Sequence, residues 1–233
     1  MEAVILAGGF GTRLAHIVKD VPKPMAPVQG RPFLQYLLDW CKSQGIRHVV
    51  LAVGYKRDCI ENYFGTTYHS IKLSYSVEDT PLFTGGALKQ ALQLCTEEHI
   101  AVLNGDTFFD VPLTDMMAFH REEAADVTIA VKQIRHSNRY GTVQVSGYRI
   151  TNFMEKTHQD ECLINGGVYV INRTQLNTVD RSQFSFESDV LEGKLCHWKL
   201  CAFACRGYFI DIGIEQDYFQ AQNELLQWRT NKI

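Results

Sequence analysis

Along the chain, short runs of β-branched and apolar residues alternate with longer stretches whose apolar positions recur at helical spacing. AVILAG, HVVLAVG, KLSYSVED, IAVLNGD, VTIAVKQI, TVQV, VYVIN, LCAFAC and FIDIG read as strands, and PFLQYLLDWCKSQG, GGALKQALQLC and QDYFQAQNELLQW read as helices. The alternation predicts βαβ units. Strands such as AVILA and HVVLAV are apolar at nearly every position, which suits a parallel sheet covered on both faces with right-handed crossovers. In the second half the strands crowd together and helices thin out, so antiparallel excursions are expected between Asp126 and Asn172. No repeat recurs at a fixed period, which sets solenoids and propellers aside. The expected fold class is α/β: a single Rossmann-like domain with a mostly parallel central sheet and mixed, antiparallel strands in its second half.

In open α/β sheets a ligand sits beyond the carboxyl ends of the strands, so the residues that follow each strand carry the information. The first strand is followed by Gly8, Gly9, Gly11 and Arg13, the second by Gly54 and Tyr55, the third by Glu78 and Asp79, the fourth by Gly105 and Asp106. Glycine and acid dominate. In AGGFGTRL the glycines let backbone N–H groups approach phosphate oxygens, and Arg13 adds a bidentate fork. A tight turn without a ligand is the bland alternative for so short a segment. A dinucleotide fingerprint needs a glycine where Leu14 stands and an acid closing the second strand, where Val53-Gly54-Tyr55 stands; a Walker A loop needs Gly-Lys-Ser/Thr, where Thr12-Arg13-Leu14 stands. Both classes are set aside.

In VPKPMAPV, Pro22 and Pro24 bracket Lys23 and are expected to hold its backbone extended, aiming one ammonium. Taken alone, Lys23 is an ordinary solvated loop lysine. Asp106 in IAVLNGD and Asp211 in YFIDIG each close an apolar run, which places both carboxylates at the sheet's carboxyl edge. Such oxygen ligands suit magnesium, although a lone Asp there is commonly a turn former. A further polar set comprises Gly141 in YGTV, Glu155 and Lys156 in FMEK, and Asn165, Gly166 and Gly167 in INGGVYV. Together these offer what a polyhydroxylated anion needs: acceptors, a cation and an amide.

Composition narrows the partners. With 233 residues, 45% hydrophobic and 21% charged, the chain can bury a sizeable core, and no linker-like stretch divides it, so one domain over 1–233 is expected. The net charge of −3 carries no basic stripe, which disfavours nucleic acid. No apolar stretch reaches the roughly 20 residues of a membrane span, and no charged leader precedes the first strand. No membrane partner and a cytoplasmic location are expected. The seven cysteines are odd in number and scattered in apolar segments, so reduced thiols are expected. Cys196, His197, Cys201 and Cys205 lack paired CxxC spacing, and zinc is not expected there.

In order, AGGFGTRL, PKPM, NGD, EK, NGG and DIG resemble the signature of the sugar-1-phosphate nucleotidyltransferases over nearly the whole chain. VKDVPKPMAPVQGRPFL, VLNGDTFFD, RYGTV and YFIDIG are most similar to the members that act as D-glycero-D-manno-heptose 1-phosphate guanylyltransferases, cousins of the mannose-1-phosphate enzymes. The resemblance implies the nucleotide-diphospho-sugar transferase fold, with a nucleotide-binding part at about 1–115 and a sugar-phosphate part at about 116–233. It implies magnesium-dependent condensation of a nucleoside triphosphate, GTP here, with a sugar 1-phosphate, releasing pyrophosphate. It further implies that Ala7, Gly8, Gly9, Gly11, Thr12 and Arg13 hold the triphosphate, that Lys23 contacts phosphates, and that Gly85 and Gly86 flank the base. Asp106 and Asp211 would bind the metal. Gly141, Glu155, Asn165 and Gly166 would read the sugar, and Lys156 its phosphate. The nucleophile is then already an anionic phosphate oxygen, which accounts for a chain without a Ser/His/Asp or Cys/His arrangement.

Two positions depart from the family. Phe83 in PLFTGGALK stands where the family commonly has glycine, and Ile214-Glu215-Gln216-Asp217 replaces a Pro-Glu-Asp-Tyr run. Competing readings are the same fold with mannose or glucose 1-phosphate or a phosphocholine-type acceptor, a sensor that has lost catalysis, and a glycosyltransferase. The last would use a D-x-D motif where Asn104-Gly105-Asp106 stands. Aromatic residues such as Phe108, Phe109, Tyr208 and Phe209 suit a core or a homo-oligomer interface equally well, and no appended second domain is expected.

Overall fold

The computed structural model describes residues 1–9, 14, 16–18, 20–137, 140–154, 159–193 and 197–232. Its strands are β1 (Glu2–Leu6), β2 (Pro27–Val28), β3 (Arg31–Pro32), β4 (His48–Val53), β5 (Thr67–Tyr68), β6 (Ile71–Val77), β7 (His99–Asn104), β8 (Thr107–Phe109), β9 (Val127–Ser137), β10 (Thr142–Ser146), β11 (Arg149–Met154), β12 (Gln159–Asn172), β13 (Leu200–Cys205) and β14 (Phe209–Asp211). The α-helices are α1 (Phe33–Ser43), α2 (Arg57–Phe64), α3 (Phe83–Leu92), α4 (Leu113–Glu122) and α5 (Glu215–Lys232).

Among the described residues, ten strands form one sheet in the order β10-β11-β13-β9-β12-β7-β1-β4-β6-β5. β7, β1, β4 and β6 run parallel. β12 lies antiparallel between β7 and β9, and β13 returns parallel to β9. The mixed second half is therefore as the crowded strands predict. Alternate residues of the parallel strands enter two cores: Ala3, Ile5, Val49 and Leu51 pack with α1, whereas Val4, Val50, Ala52 and Val102 pack with Ala87, Leu88 and Ala91 of α3. This is why those strands read as continuously apolar.

Helix α1 forms because Phe33, Leu34, Leu37, Leu38 and Cys41 repeat on one face and all are buried. Each of the larger side chains contributes about 1.5–3 kcal/mol on burial. The helix stops at Gln44, before Gly45, whose φ of +74° suits a helix end that a residue with a Cβ would strain. Helices α2 and α4 did not stand out in the hydrophobic pattern. Within its eight residues α2 buries only Ile60 and Phe64, too thin a stripe to show helical periodicity.

One expectation is corrected. Asp211 does not end a strand of the main sheet: β14 pairs antiparallel with β8 in a separate ribbon, with Asp211 opposite Thr107. The chain leaving β7 turns through Gly105 and Asp106 and peels away as β8, which leaves β8 free to take β14 as its partner. The six described cysteines outside 194–196 are free thiols, as expected, and no described helix is long and apolar enough to cross a membrane.

His120, on α4, is buried with its Nδ1 2.9 Å from the Thr128 hydroxyl and its ring against His99. Burial first, then the neighbouring His99 and Arg121, pull its pKa from 6.5 down to about 4. The unfolded chain therefore takes up this proton at a higher pH than the native chain. Its stability contribution is intact above about pH 6.5 and is lost as pH falls toward 4. A melting-temperature profile is expected to decline across that window, and His120→Asn to flatten the decline; an unchanged slope would assign the acid sensitivity elsewhere.

Candidate active site

Where β1, β4, β6 and β7 end, a cavity of about 710 Å³ opens, within the range of small-molecule sites. Gly8 and Gly9 line it from the turn after β1, Gly54 and Tyr55 from the end of β4, Glu78 and Asp79 from β6, and Asn104, Gly105 and Asp106 from β7. The parallel register brings these four turns to one edge. Ala7 is tied into that edge by its N–H, which donates to the Ala52 carbonyl at 2.8 Å. Gly11, Thr12 and Arg13, the rest of the predicted phosphate loop, lie outside the described residues.

Lys23 reaches the same cavity, and its surroundings differ from both the extended backbone and the solvated side chain considered for it. It opens a 3-10 turn (Lys23–Met25) closed by Met25 N–H to Pro22 O at 2.8 Å and Ala26 N–H to Lys23 O at 3.0 Å. Pro22, just before the turn, is extended, with ψ 155°. With its side chain 10% exposed, the Lys23 ammonium donates to Asp106 Oδ2 at 2.5 Å. A cation so far out of water is held by the carboxylate it faces. An ammonium has three N–H donors, and one contact to Asp106 leaves capacity for an anion in the cavity.

The β8–β14 ribbon brings the second acid beside the first. Ile212 N–H donates to the Asp106 carbonyl at 3.0 Å, one residue past Asp211. Asp106 Oδ1 accepts from the Thr107 hydroxyl at 3.2 Å, and Asp211 Oδ1 from Gly213 N–H at 2.6 Å. Among the described residues no three His, Cys, Asp or Glu side chains converge. Two carboxylates alone make a poor cage for calcium or zinc. They do fit magnesium, which takes one or two carboxylates and completes its shell with water and substrate phosphate.

The far wall comes from residues 182–187 packed on α3. Thr84 Oγ1 donates to Glu187 Oε2 at 2.7 Å and accepts from Phe186 N–H at 2.9 Å, which fixes Ser185 and Glu187 on the cavity lining. Gly85 and Gly86 lie beneath this wall and are not among the residues that line the cavity. Both donate N–H to the Phe184 carbonyl, and a Cβ on Gly86 would stand 2.0 Å from the Ser182 carbonyl oxygen. Their place is to let the segment lie close on the helix, so their bearing on a base is through the wall they seat.

The structure disperses the set predicted to hold the sugar phosphate. Gly141 is exposed just before β10. Gly166 is packed, since a Cβ there would meet the Phe109 ring at 2.4 Å. Asn165 holds itself by accepting Gly167 N–H at 3.0 Å and donating to the Tyr169 hydroxyl at 3.0 Å. Glu155 and Lys156 lie outside the described residues. None of Gly141, Asn165 and Gly166 lines the 710 Å³ cavity. Of the three, Asn165 is linked toward it, through Tyr169, whose hydroxyl also interacts with the side chain of cavity-lining Asn104. Burial, then the negative charges of Glu187 and Asp106, raise the Tyr169 pKa well above normal, so its hydroxyl keeps its proton.

Sequence reasoning left Glu78 without a role and missed Asn104, Ser185 and Glu187. Burial raises the Glu78 pKa, partly offset by the hydrogen bond from Leu82 N–H. Ser185 and Glu187 could have been noticed: a serine followed by acids marks a helix start, and Ser185 Oγ indeed accepts Ser188 N–H at 3.2 Å at the head of a π-helix (Phe186–Glu192). What no local pattern conveys is that a segment a hundred residues away closes the cavity.

Comparison with known proteins gives the chain its relatives. The nucleotidyl transferase family model matches residues 2–228. The D-glycero-alpha-D-manno-heptose 1-phosphate guanylyltransferase of Aneurinibacillus thermoaerophilus is 46% identical, over 97% of this chain and 98% of its own length. The protein of the same name from Campylobacter jejuni is 43% identical, over 94% and 97%. The crystal structure of HddC from Yersinia pseudotuberculosis, complexed with GMP-PN, superposes with a TM-score of 0.87 at 32% identity, covering 96% of this chain and 98% of that one.

The close packing under the wall yields a test. Gly86→Ala is expected to destabilise the fold by about 1–3 kcal/mol through overpacking, seen as a lower melting temperature. An unchanged melting temperature would mean that Gly86 is not held against Ser182.

Proposed function

The chain belongs to the nucleotidyl transferase family, and from that premise we propose that it transfers the guanylyl group of GTP to D-glycero-α-D-manno-heptose 1-phosphate, releasing pyrophosphate. One observation carries the reading: Lys23 and Asp106 meet over a glycine turn, in a chain whose near-full-length relatives bear that activity in their names. The first part of the chain, about 1–115, holds the nucleotide, and the second, about 116–233, holds the sugar phosphate.

A phosphate oxygen of the sugar 1-phosphate attacks the α-phosphorus of the triphosphate in line. A new P–O bond forms as the bond to pyrophosphate breaks, and no proton has to be removed first. The obstacle is the repulsion of two anions and their alignment. Ala7, Gly8, Gly9, Gly11 and Thr12 offer backbone donors to the triphosphate, and Arg13 and Lys23 supply positive charge. Asp106, by holding Lys23, aims that charge into the cavity. Gly141, Glu155, Asn165 and Gly166 shape the sugar side, and Lys156 takes its phosphate. A magnesium ion on Asp106 and Asp211 would supply charge neutralisation for the departing pyrophosphate. The substrates are small molecules that meet beyond the sheet edge.

Pyrophosphate release should require GTP, the heptose 1-phosphate and magnesium together. A matrix of four nucleoside triphosphates against heptose, mannose and glucose 1-phosphates reads this directly, and a higher kcat/KM for another pair would replace these substrates. Asp106→Asn and Asp211→Asn are each expected to lower kcat about 100-fold or more, with the melting temperature kept. Near-normal rates in both would remove the metal assignment.

A further inference from the structure

Phe83 is the residue whose conformation the fold does not repay. It opens α3 with φ +59°, a region that favours glycine and that a bulky L side chain rarely adopts. Its neighbours impose that angle. On one side Leu82 N–H donates to Glu78 Oε2 at 2.9 Å and Leu82 O accepts Phe184 N–H at 3.2 Å. On the other, Thr84 is held by Glu187 and Phe186, and Gly85 N–H by Phe184 O. Glycine would meet this geometry without strain. The ring returns nothing to the core: it is 63% exposed, belongs to neither hydrophobic cluster, and lines the cavity. A strained, exposed aromatic on a cavity rim points to a ligand rather than to packing.

The position says which part of the ligand. Lys23 and Asp106 mark the phosphate end at β7, and Phe83 follows β6, three strands away in the order β7-β1-β4-β6. At about 4.8 Å per strand that is a span of roughly 14 Å, on the scale of a nucleoside triphosphate from its phosphates to its base. We propose that Phe83 stacks on the nucleobase and is a specificity-determining residue that favours purines, whose larger face covers more of the ring. This rests on the nucleotidyltransferase reading above and adds to it the group that holds the base.

The test uses Phe83→Ala, Phe83→Gly and Phe83→Tyr in the full chain, with KM and kcat for GTP and UTP and direct titration of each protein with GTP. Phe83→Ala and Phe83→Gly are expected to raise the KM and Kd for GTP about tenfold, the scale of a lost base-aromatic stack. The KM for the sugar phosphate should hold, the preference for GTP over UTP should narrow, and Phe83→Tyr should restore the wild-type values. Phe83→Gly should also melt above Phe83→Ala, because only glycine is at ease at this φ. GTP constants within twofold of wild type in Phe83→Ala would overturn the inference, and so would an equal rise for both substrates. A wild-type chain that binds no nucleoside triphosphate would instead remove the functional reading, and this inference with it.

Discussion

Burying both faces of four parallel strands is the constraint from which the rest follows. With α1 on one side of β1, β4, β6 and β7 and α3 on the other, neither face can hold a polar ligand. Polar groups collect instead at the carboxyl edge, where each strand must turn. The register of β1 with β4 and β7 then sets Leu6, Ala52 and Asn104 at one height, and the cavity is the gap between the turns that follow them and the wall built on α3.

Within that edge, charge is arranged by pairing rather than by exposure. Lys23 is nearly out of water and Asp106 partly so; either charge alone would be costly there, and their contact offsets the desolvation of both. The β8–β14 ribbon brings the backbone of Asp211 alongside, opposite Thr107, without placing it on the cavity lining. One contact to Asp106 leaves the other ammonium donors of Lys23 able to meet an anion in the cavity.

Much of this could be read in the sequence, and for a physical reason. Strands buried on both faces announce themselves by unbroken apolar runs, so the residues after them could be placed at the sheet edge, where Gly8 and Asp106 do line the cavity. What could not be read was contact between distant segments. Nothing local shows that Asp211 belongs to a ribbon with Thr107, that Lys23 sits in a turn rather than an extended stretch, or that Glu187 closes the cavity against Thr84. Short helices such as α2 escaped because two buried residues make no period. Gly85 and Gly86 were assigned to the base, whereas their close approach to 182–184 shows the reason glycine is needed at that point.

The cavity edge and the strand β12 are joined by one buried hydroxyl. Tyr169 stands between Asn104, on the cavity lining, and Asn165, on β12. Its depth keeps it protonated beside Glu187 and Asp106, so it remains a neutral hydrogen-bonding link among charges. A buried network of this kind tolerates little displacement, because each broken contact would strand a polar atom away from water. A displacement of Asn165 would thus be felt at Asn104, next to the Gly105-Asp106 turn that lines the cavity.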